Sequence, residues 1–164
     1  MTNKIDENEL REFMTRMSPE TRIYFGCDSS RFRVKGQWFA EYAVVVVIHI
    51  NGNNGGKIFA ETSVERDYDN IFSKPFTRML KEAEKVSELH NRLKDIFTDF
   101  EVSIHLDIST KKTCGSNVAL EAAVGYVKAM TNVTPLTKPN AWSASYAADR
   151  APEILSQRRA VGQN

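Results

Sequence analysis

Residues 101–109 read EVSIHLDIS, a stretch rich in β-branched and apolar residues that ends in a Lys/Thr/Gly loop and reads as a β-strand. What flanks it decides the fold. On its C-terminal side, Ser116 or Asn117 can cap a helix, VALEAAVGYVKAM (118–130), whose small residues suit close packing. A short strand near residues 133–137 comes next, then a break at Pro139. On its N-terminal side, Ser73 and Pro75 open the longest helical pattern of the chain, to about Phe97. Phe76, Met79, Leu80, Ala83, Val86, Leu93 and Phe97 form its apolar stripe. A strand, a helix and a strand in succession favour parallel pairing through crossovers.

Further toward the N-terminus three strands are expected. TRIYFGCD (21–28) is rich in β-branched and aromatic residues and stops at an acid followed by two serines. The next strand spans about 38–50, and its continuously apolar run 44–48 requires cover on both faces. NGNNGG (51–56) tolerates positive φ and lets the chain return as KIFAETSVE in a hairpin. Before these strands, Leu10, Phe13, Met14 and Met17 recur at helical spacing until Ser18 and Pro19 end the pattern. A last helical stretch covers 144–150. The order β-β-β-α-β-α-β-α predicts an α/β fold with one mixed five-stranded sheet and helices on both faces. Its antiparallel meander is β1-β2-β3, and β4 and β5 are parallel additions. The expected domains are an N-terminal amphipathic helix (1–20) packed on the body, a main domain (21–152) and a C-terminal tail (153–164).

Composition bounds the function. Across 164 residues, 22 Lys and Arg stand against 21 Asp and Glu, for a net charge of +1, with 41% hydrophobic residues. One domain with one core fits that length. The balance excludes the grossly basic nucleic-acid binder and the acidic disordered chain. No apolar run approaches a membrane span, and MTNKIDENEL lacks the apolar segment of a secretory signal, so a cytoplasmic protein is expected. Cys27 and Cys114 belong to no C-x-x-C pair, which points to reduced thiols.

The chemistry-bearing residues are acids. Asp28 and Asp107 stand toward the ends of two strands expected to be parallel neighbours, where open α/β sheets place their ligands. Two adjacent carboxylates repel each other, and oxygen-only donors suit a hard cation such as Mg²⁺ or Mn²⁺. Taken singly, each is equally a turn former or helix cap. Glu82, Glu84 and Glu88 on the long helix are candidates for a third carboxylate. At 100° per residue, Glu82 lies nearest the apolar stripe, about 80° from its centre, against about 120° and about 160° for the other two. Asp149, in SASYAADR, is a fourth candidate, although Arg150 is an alternative partner for it.

Strand acid, meander, helix acid, strand acid and a last acid on a C-terminal helix together resemble the ribonuclease H-like superfamily of nucleases and resolvases. More closely, the chain resembles the YkuK-type family. The matching segments are Gly26-Cys27-Asp28-Ser29, His105-Leu106-Asp107-Ile108, Gly125 with Val127, and Lys138-Pro139 followed by Ala144-Ser145 and Ala148-Asp149-Arg150. Cys27 stands where that family often has a hydroxyl residue, and the loop 109–115 departs from the usual glycine after the HLDI run.

The resemblance implies phosphodiester hydrolysis with two divalent ions, roughly 4 Å apart, that bind the scissile phosphate, acidify the attacking water and stabilise the leaving oxygen. Under it Asp28 bridges both ions, Asp107 and Glu82 flank one, and Asp149 flanks the other. His105, two residues from Asp107 on one strand face, is a candidate for hydrogen bonding or proton transfer, and is otherwise a core histidine. Ser29, Lys111, Lys112 and Lys138 are the expected nucleic-acid contacts near this sheet edge. Trp142 and Tyr146 are either stacking or packing residues. GNNGGK lacks the spacing of a phosphate-binding loop and lies in a hairpin.

The expected partner is RNA, an RNA-DNA hybrid or structured DNA, bound by a monomer or homodimer with no membrane involved. A noncatalytic adaptor of the same fold and a nucleotide phosphohydrolase are the rivals. The first 20 residues hold three basic and five acidic groups, so their −2 leaves +3 on the rest of the chain. Divalent ions would raise that charge, which makes metal-dependent affinity for a phosphate backbone the expectation.

Overall fold

The computed structural model describes residues 3–52, 54–71 and 73–142. Helix α1, Glu7–Met14, starts where the Asp6 side chain accepts the Asn8 and Glu9 backbone N–H groups, and buries Leu10 and Met14. Strands β1 (Arg22–Val34), β2 (Gln37–His49) and β3 (Gly56–Arg66) form an antiparallel meander. Helix α2 (Phe76–Leu93) then crosses to β4 (Glu101–Ser109), and helix α3 (Leu120–Thr131) crosses to β5 (Leu136–Lys138). Strand order is β3-β2-β1-β4-β5, with β1/β4 and β4/β5 parallel. This is the mixed five-stranded α/β sheet expected from the sequence, but helices were expected on both faces, and among the described residues α1, α2 and α3 all pack on one face.

One face carries the main core. Ile23, Phe25 and Cys27 of β1, Val44, Val46 and Ile48 of β2, and Ile104, Leu106 and Ile108 of β4 pack against Met79, Ala83, Val86 and Leu89 of α2 and Ala123 and Val127 of α3. Helix α1 joins the same cluster, with Phe13 edge-on to Phe59. The opposite face buries Val45, Val47 and Ala60 beside Tyr24, Ala43 and Ile58. The run 44–48 is therefore covered on both sides. The helix expected over 144–150 lies outside the described residues. Among the described residues no helix is long and apolar enough to cross a membrane.

Several boundaries differ from the sequence expectation: α2 ends at Leu93, four residues before Phe97, and a 3₁₀ turn covers Lys94–Phe97. Strand β1 does not stop at Asp28 but runs to Val34, because residues 29–34 pair with β2 from Ser29↔Tyr42 to Val34↔Gln37. Cross-strand pairing outweighs the turn chemistry of Asp-Ser-Ser. The reversal falls instead at Lys35 and Gly36, whose φ values of 48° and 82° suit a two-residue hairpin turn. Ser116 and Asn117 do not cap α3, which a 3₁₀ turn (Gly115–Ala119) precedes. Their side chains seal the end of β4, Ser116 accepting from the Ser109 N–H and Asn117 donating to the Ser109 carbonyl. Strand β5 starts three residues later than the expected 133 and includes Lys138.

Helix α2 begins after Pro75, which provides no side-chain cap. Asp69 takes over that role from the preceding loop, its carboxylate accepting the Thr77 and Arg78 backbone N–H groups at 2.8 and 3.0 Å. Asp69→Ala should lower unfolding stability by about 1 kcal/mol, measured by urea denaturation. An unchanged midpoint would show that solvent replaces the cap.

Candidate functional site

Strands β1 and β4 pair in parallel from Arg22↔Glu101 to Cys27↔Leu106, and beyond that rung β1 continues with β2. Asp28 and Asp107 are the next residues past the last rung. Side chains alternate along a strand, so Tyr24 and Asp28 share a face, and the Cys27↔Leu106 register puts His105 and Asp107 on that face too. The contact between the Tyr24 and His105 rings, 5.1 Å between centroids, agrees with this placement. Asp28 Oδ1 accepts the Ser29 backbone N–H at 2.8 Å.

Asp107 has a cation on it. Lys138, placed by the Ser109↔Lys138 pairing of β5 with β4, sets its Nζ 2.6 Å from Asp107 Oδ1. Its hydrogen bond to Asp107 raises the ammonium pKa, and the negative charges of Asp107 and Asp28 add to the effect. One lysine thus senses both aspartates. It remains half-exposed, at 48% of its side chain, so solvent screens much of this attraction.

Behind the pair, on the face covered by α2, lies Glu82. Its side chain is buried, with the residue 2% exposed, and its Oε1 accepts the Ser29 hydroxyl at 2.5 Å. Arg78, one turn earlier, donates Nη1 to the Ser29 carbonyl and hydroxyl oxygens at 3.1 and 3.3 Å. Burial holds the Glu82 carboxyl well above the ordinary glutamate range. Asp28 and Asp107 push it further up, whereas the Ser29 hydrogen bond and the Arg78 charge oppose the rise. Of the three helix glutamates, only Glu82 turns inward: Glu84 pairs with Lys81 at 2.7 Å, and Glu88 is exposed.

His105 is fully buried between the rings of Tyr24 and Trp142. Its Nδ1 accepts the Trp142 backbone N–H at 3.3 Å, which assigns the ring proton to Nε2 in the neutral tautomer. Burial lowers its pKa to about 4, so the imidazole is neutral at physiological pH.

A family model described as ribonuclease H-like matches residues 7–153 of the chain. The chain belongs to the ribonuclease H-like family. No curated protein and no solved structure matches it significantly.

In this ribonuclease H-like chain the sequence-proposed residues divide by face. Asp28, His105 and Asp107 come together on one face, with Lys138 reaching Asp107. Glu82 approaches from the other, and Asp149 lies outside the described residues. Ser29, expected to contact nucleic acid, is corrected to an internal role: alternation turns it away from the Asp28 face, and its hydroxyl is committed to Glu82. Lys111 and Lys112 are exposed on the loop after β4. Arg78 was missed by the sequence reading. Its signal is its place four residues before Glu82, on one helix face.

The donors fit a hard cation in part. Asp28 and Asp107 supply only oxygen, and the Lys138 ammonium marks where positive charge settles beside them. Among the described residues, however, no three His, Cys, Asp or Glu side chains are grouped to hold one ion, and Glu82 stands behind Ser29.

The raised Glu82 pKa has a signed consequence for stability. The folded protein retains a proton that the unfolded chain releases near 4.5, so this group's stabilising contribution is lost as pH rises through its folded value. Glu82→Gln resembles the protonated form. Denaturation measured from pH 4 to 9 should show the variant losing less stability than wild type as pH rises. A parallel decline in both proteins would mean that the carboxyl is ionised without cost.

Proposed function

We propose that this ribonuclease H-like protein is a metal-dependent nuclease, hydrolysing phosphodiester bonds in RNA, RNA-DNA hybrid or structured DNA. The observation that carries the reading is the pairing of Asp28 with Asp107 where β1 and β4 part, on one sheet face, with a lysine already drawn to them. In this reading Asp28 and Asp107 hold Mg²⁺ or Mn²⁺, Asp149 joins them, and Glu82 supports the site from behind. A divalent ion there would neutralise phosphate charge and acidify the attacking water.

The chain's own residues do the rest. The Ser29 N–H orients Asp28, while the Ser29 hydroxyl and Arg78 fix Glu82. Neutral His105 anchors the backbone at Trp142, which closes the face beside Asp107. Lys138 would release Asp107 if that carboxylate held a cation, and its ammonium would then be available to a phosphate oxygen. Lys111 and Lys112 extend the basic edge toward the same substrate. The rival reading, a noncatalytic adaptor, is favoured by the same Lys138, since an internal ammonium already balances Asp107 without a metal.

Two measurements separate these readings. Asp28→Asn and Asp107→Asn should each cut Mg²⁺- or Mn²⁺-dependent cleavage by about a thousandfold, the worth of several kcal/mol of charge stabilisation, while the folded state persists by circular dichroism. The panel covers single-stranded RNA, duplex RNA, hybrid and branched DNA, and nucleotides. Wild-type protein inert on all of them with both metals would defeat the nuclease reading, and cleavage confined to nucleotides would make the protein a phosphohydrolase. Separately, Lys138→Gln should tighten Mn²⁺ binding several-fold by isothermal titration calorimetry. Weaker binding in that variant would show that Lys138 does not compete for the site.

A further inference from the structure

Beyond Cys27, β1 leaves β4 and continues with β2 as an arm that ends in the Lys35–Gly36 turn. From Ser29 to Ala40 the arm holds Arg31, Arg33 and Lys35 and no acidic residue. Arg31 is spent internally: it pairs with Asp67, donates to the Asp69 carbonyl at 3.1 Å and lies 4.5 Å from the centre of the Trp38 ring. These contacts brace the base of the arm and leave Arg33 and Lys35 as its exposed cations.

The arm's two faces differ. Alternation from Asp28 puts Ser30, Phe32 and Val34 on the Asp28 face, and the register adds Phe39 of β2 and Val64 and Arg66 of β3. Phe32 and Phe39 are directly opposed, with centroids 5.9 Å apart and ring planes 21° apart, so they form one aromatic surface. Phe32, Val34 and Val64 are 37%, 46% and 45% exposed, an unusual exposure for three neighbouring apolar residues. Arg66 is exposed beside Phe39, and Glu41, opposite Ser30, is the acid at the base of this face. At about 3.3 Å per residue, Phe32 lies about 13 Å along the strand from Asp28.

Arg33 turns to the opposite face, over the Trp38 ring at 5.7 Å, so the aromatic platform is bordered by Lys35 at the turn and Arg66 of β3. Together they have the chemistry that binds a nucleic-acid strand: cations for the phosphates and ring faces for unpaired bases. A second copy of this chain would bring the same cations against themselves, which charge repulsion disfavours. We propose that the β1–β2 arm grips a single-stranded stretch of nucleic acid, with a base stacked on Phe32 and Phe39 and phosphates on Lys35 and Arg66. The inference rests on the nuclease reading and names the strand form delivered to Asp28 and Asp107.

The test is fluorescence anisotropy of labelled oligo(U) and of a blunt duplex of equal length. EDTA is present, so that binding is read apart from metal chemistry and cleavage. Phe32→Ala should weaken oligo(U) binding between about fivefold and about a hundredfold, the range for losing one stacked base, with little effect on the duplex. Lys35→Ala combined with Arg66→Ala should lower the slope of log affinity against log salt by about 1.4, or about 0.7 per lost single-strand contact. Matching thermal melts confirm that the variants are folded.

Wild type that binds oligo(U) no more tightly than do these variants would overturn the grip, and so would wild type that binds no oligonucleotide. A dimer that Phe32→Asp dissociates, seen by light scattering, would instead assign the face to a second copy. Arm variants that bind like wild type while the Asp28-dependent cleavage persists would sink the arm alone. Loss of the strand-binding effects and of cleavage in wild type would remove the nuclease reading with it.

Discussion

Asp28 and Asp107 stand together where β1 and β4 separate, with the Glu82 carboxyl buried behind Ser29, and much of the surrounding structure serves to make that tolerable. Like charges at close range in a partly dry site disfavour ionisation, and an uncompensated buried carboxylate costs several kcal/mol. Each acid meets the problem differently. Asp107 takes the Lys138 ammonium, Asp28 takes a backbone N–H, and Glu82 takes a hydroxyl whose other contacts are to a guanidinium. These partners come from β5, β1 and α2, so elements distant in sequence are tied to one charge problem. The placement of β5 in particular puts Lys138 within reach of Asp107.

The packing on either side supplies the rigidity. Phe25, Ile23 and Ile104 are fully buried just before the carboxylates, and each contributes roughly 1.5–3 kcal/mol on burial. A few such residues offset the desolvation of Glu82, whose neighbour Ala83 is itself in the core. Strand β1 thus has two characters. Up to Cys27 it is an inner strand between β2 and β4, and past Cys27 it is the edge strand of an extension with β2 and β3 whose tip, residues 33–38, holds β1 and β2 alone. Asp28 stands at the change between them.

Legibility in the sequence follows that division. Strand β4 was readable to the residue from EVSIHLDIS, and the amphipathic stripe of α2 was readable from its spacing, because burial on one face dictates both patterns. Asp28 is expected to end β1, but β1 there loses one neighbouring strand and runs on to Val34. No local signal distinguishes those cases, since both expose polar groups on one edge. Ser29 was misassigned for a related reason: period-two alternation reverses the side of every next residue, so adjacency to Asp28 in sequence means opposition in space. Ser116 and Asn117 were read as caps because their side chains bond backbone groups, which they do, at Ser109 rather than at α3.

Net charge is the least informative of these quantities, for a physical reason. Ionic screening at physiological salt confines a surface charge's influence to about 8 Å, less than the length of the β1–β2 arm. A partner at that arm therefore responds to Lys35 and Arg66 and scarcely to the acids of α1. The −2 of the first 20 residues lowers the chain's total to +1 without changing the local sign along the arm. There the sign is set by short-range contacts, with Arg31 neutralised by Asp67, and Arg33 and Lys35 left exposed. A balanced total thus excludes a uniformly basic surface, whereas the charge a bound strand would meet depends on which cations the fold has already paired.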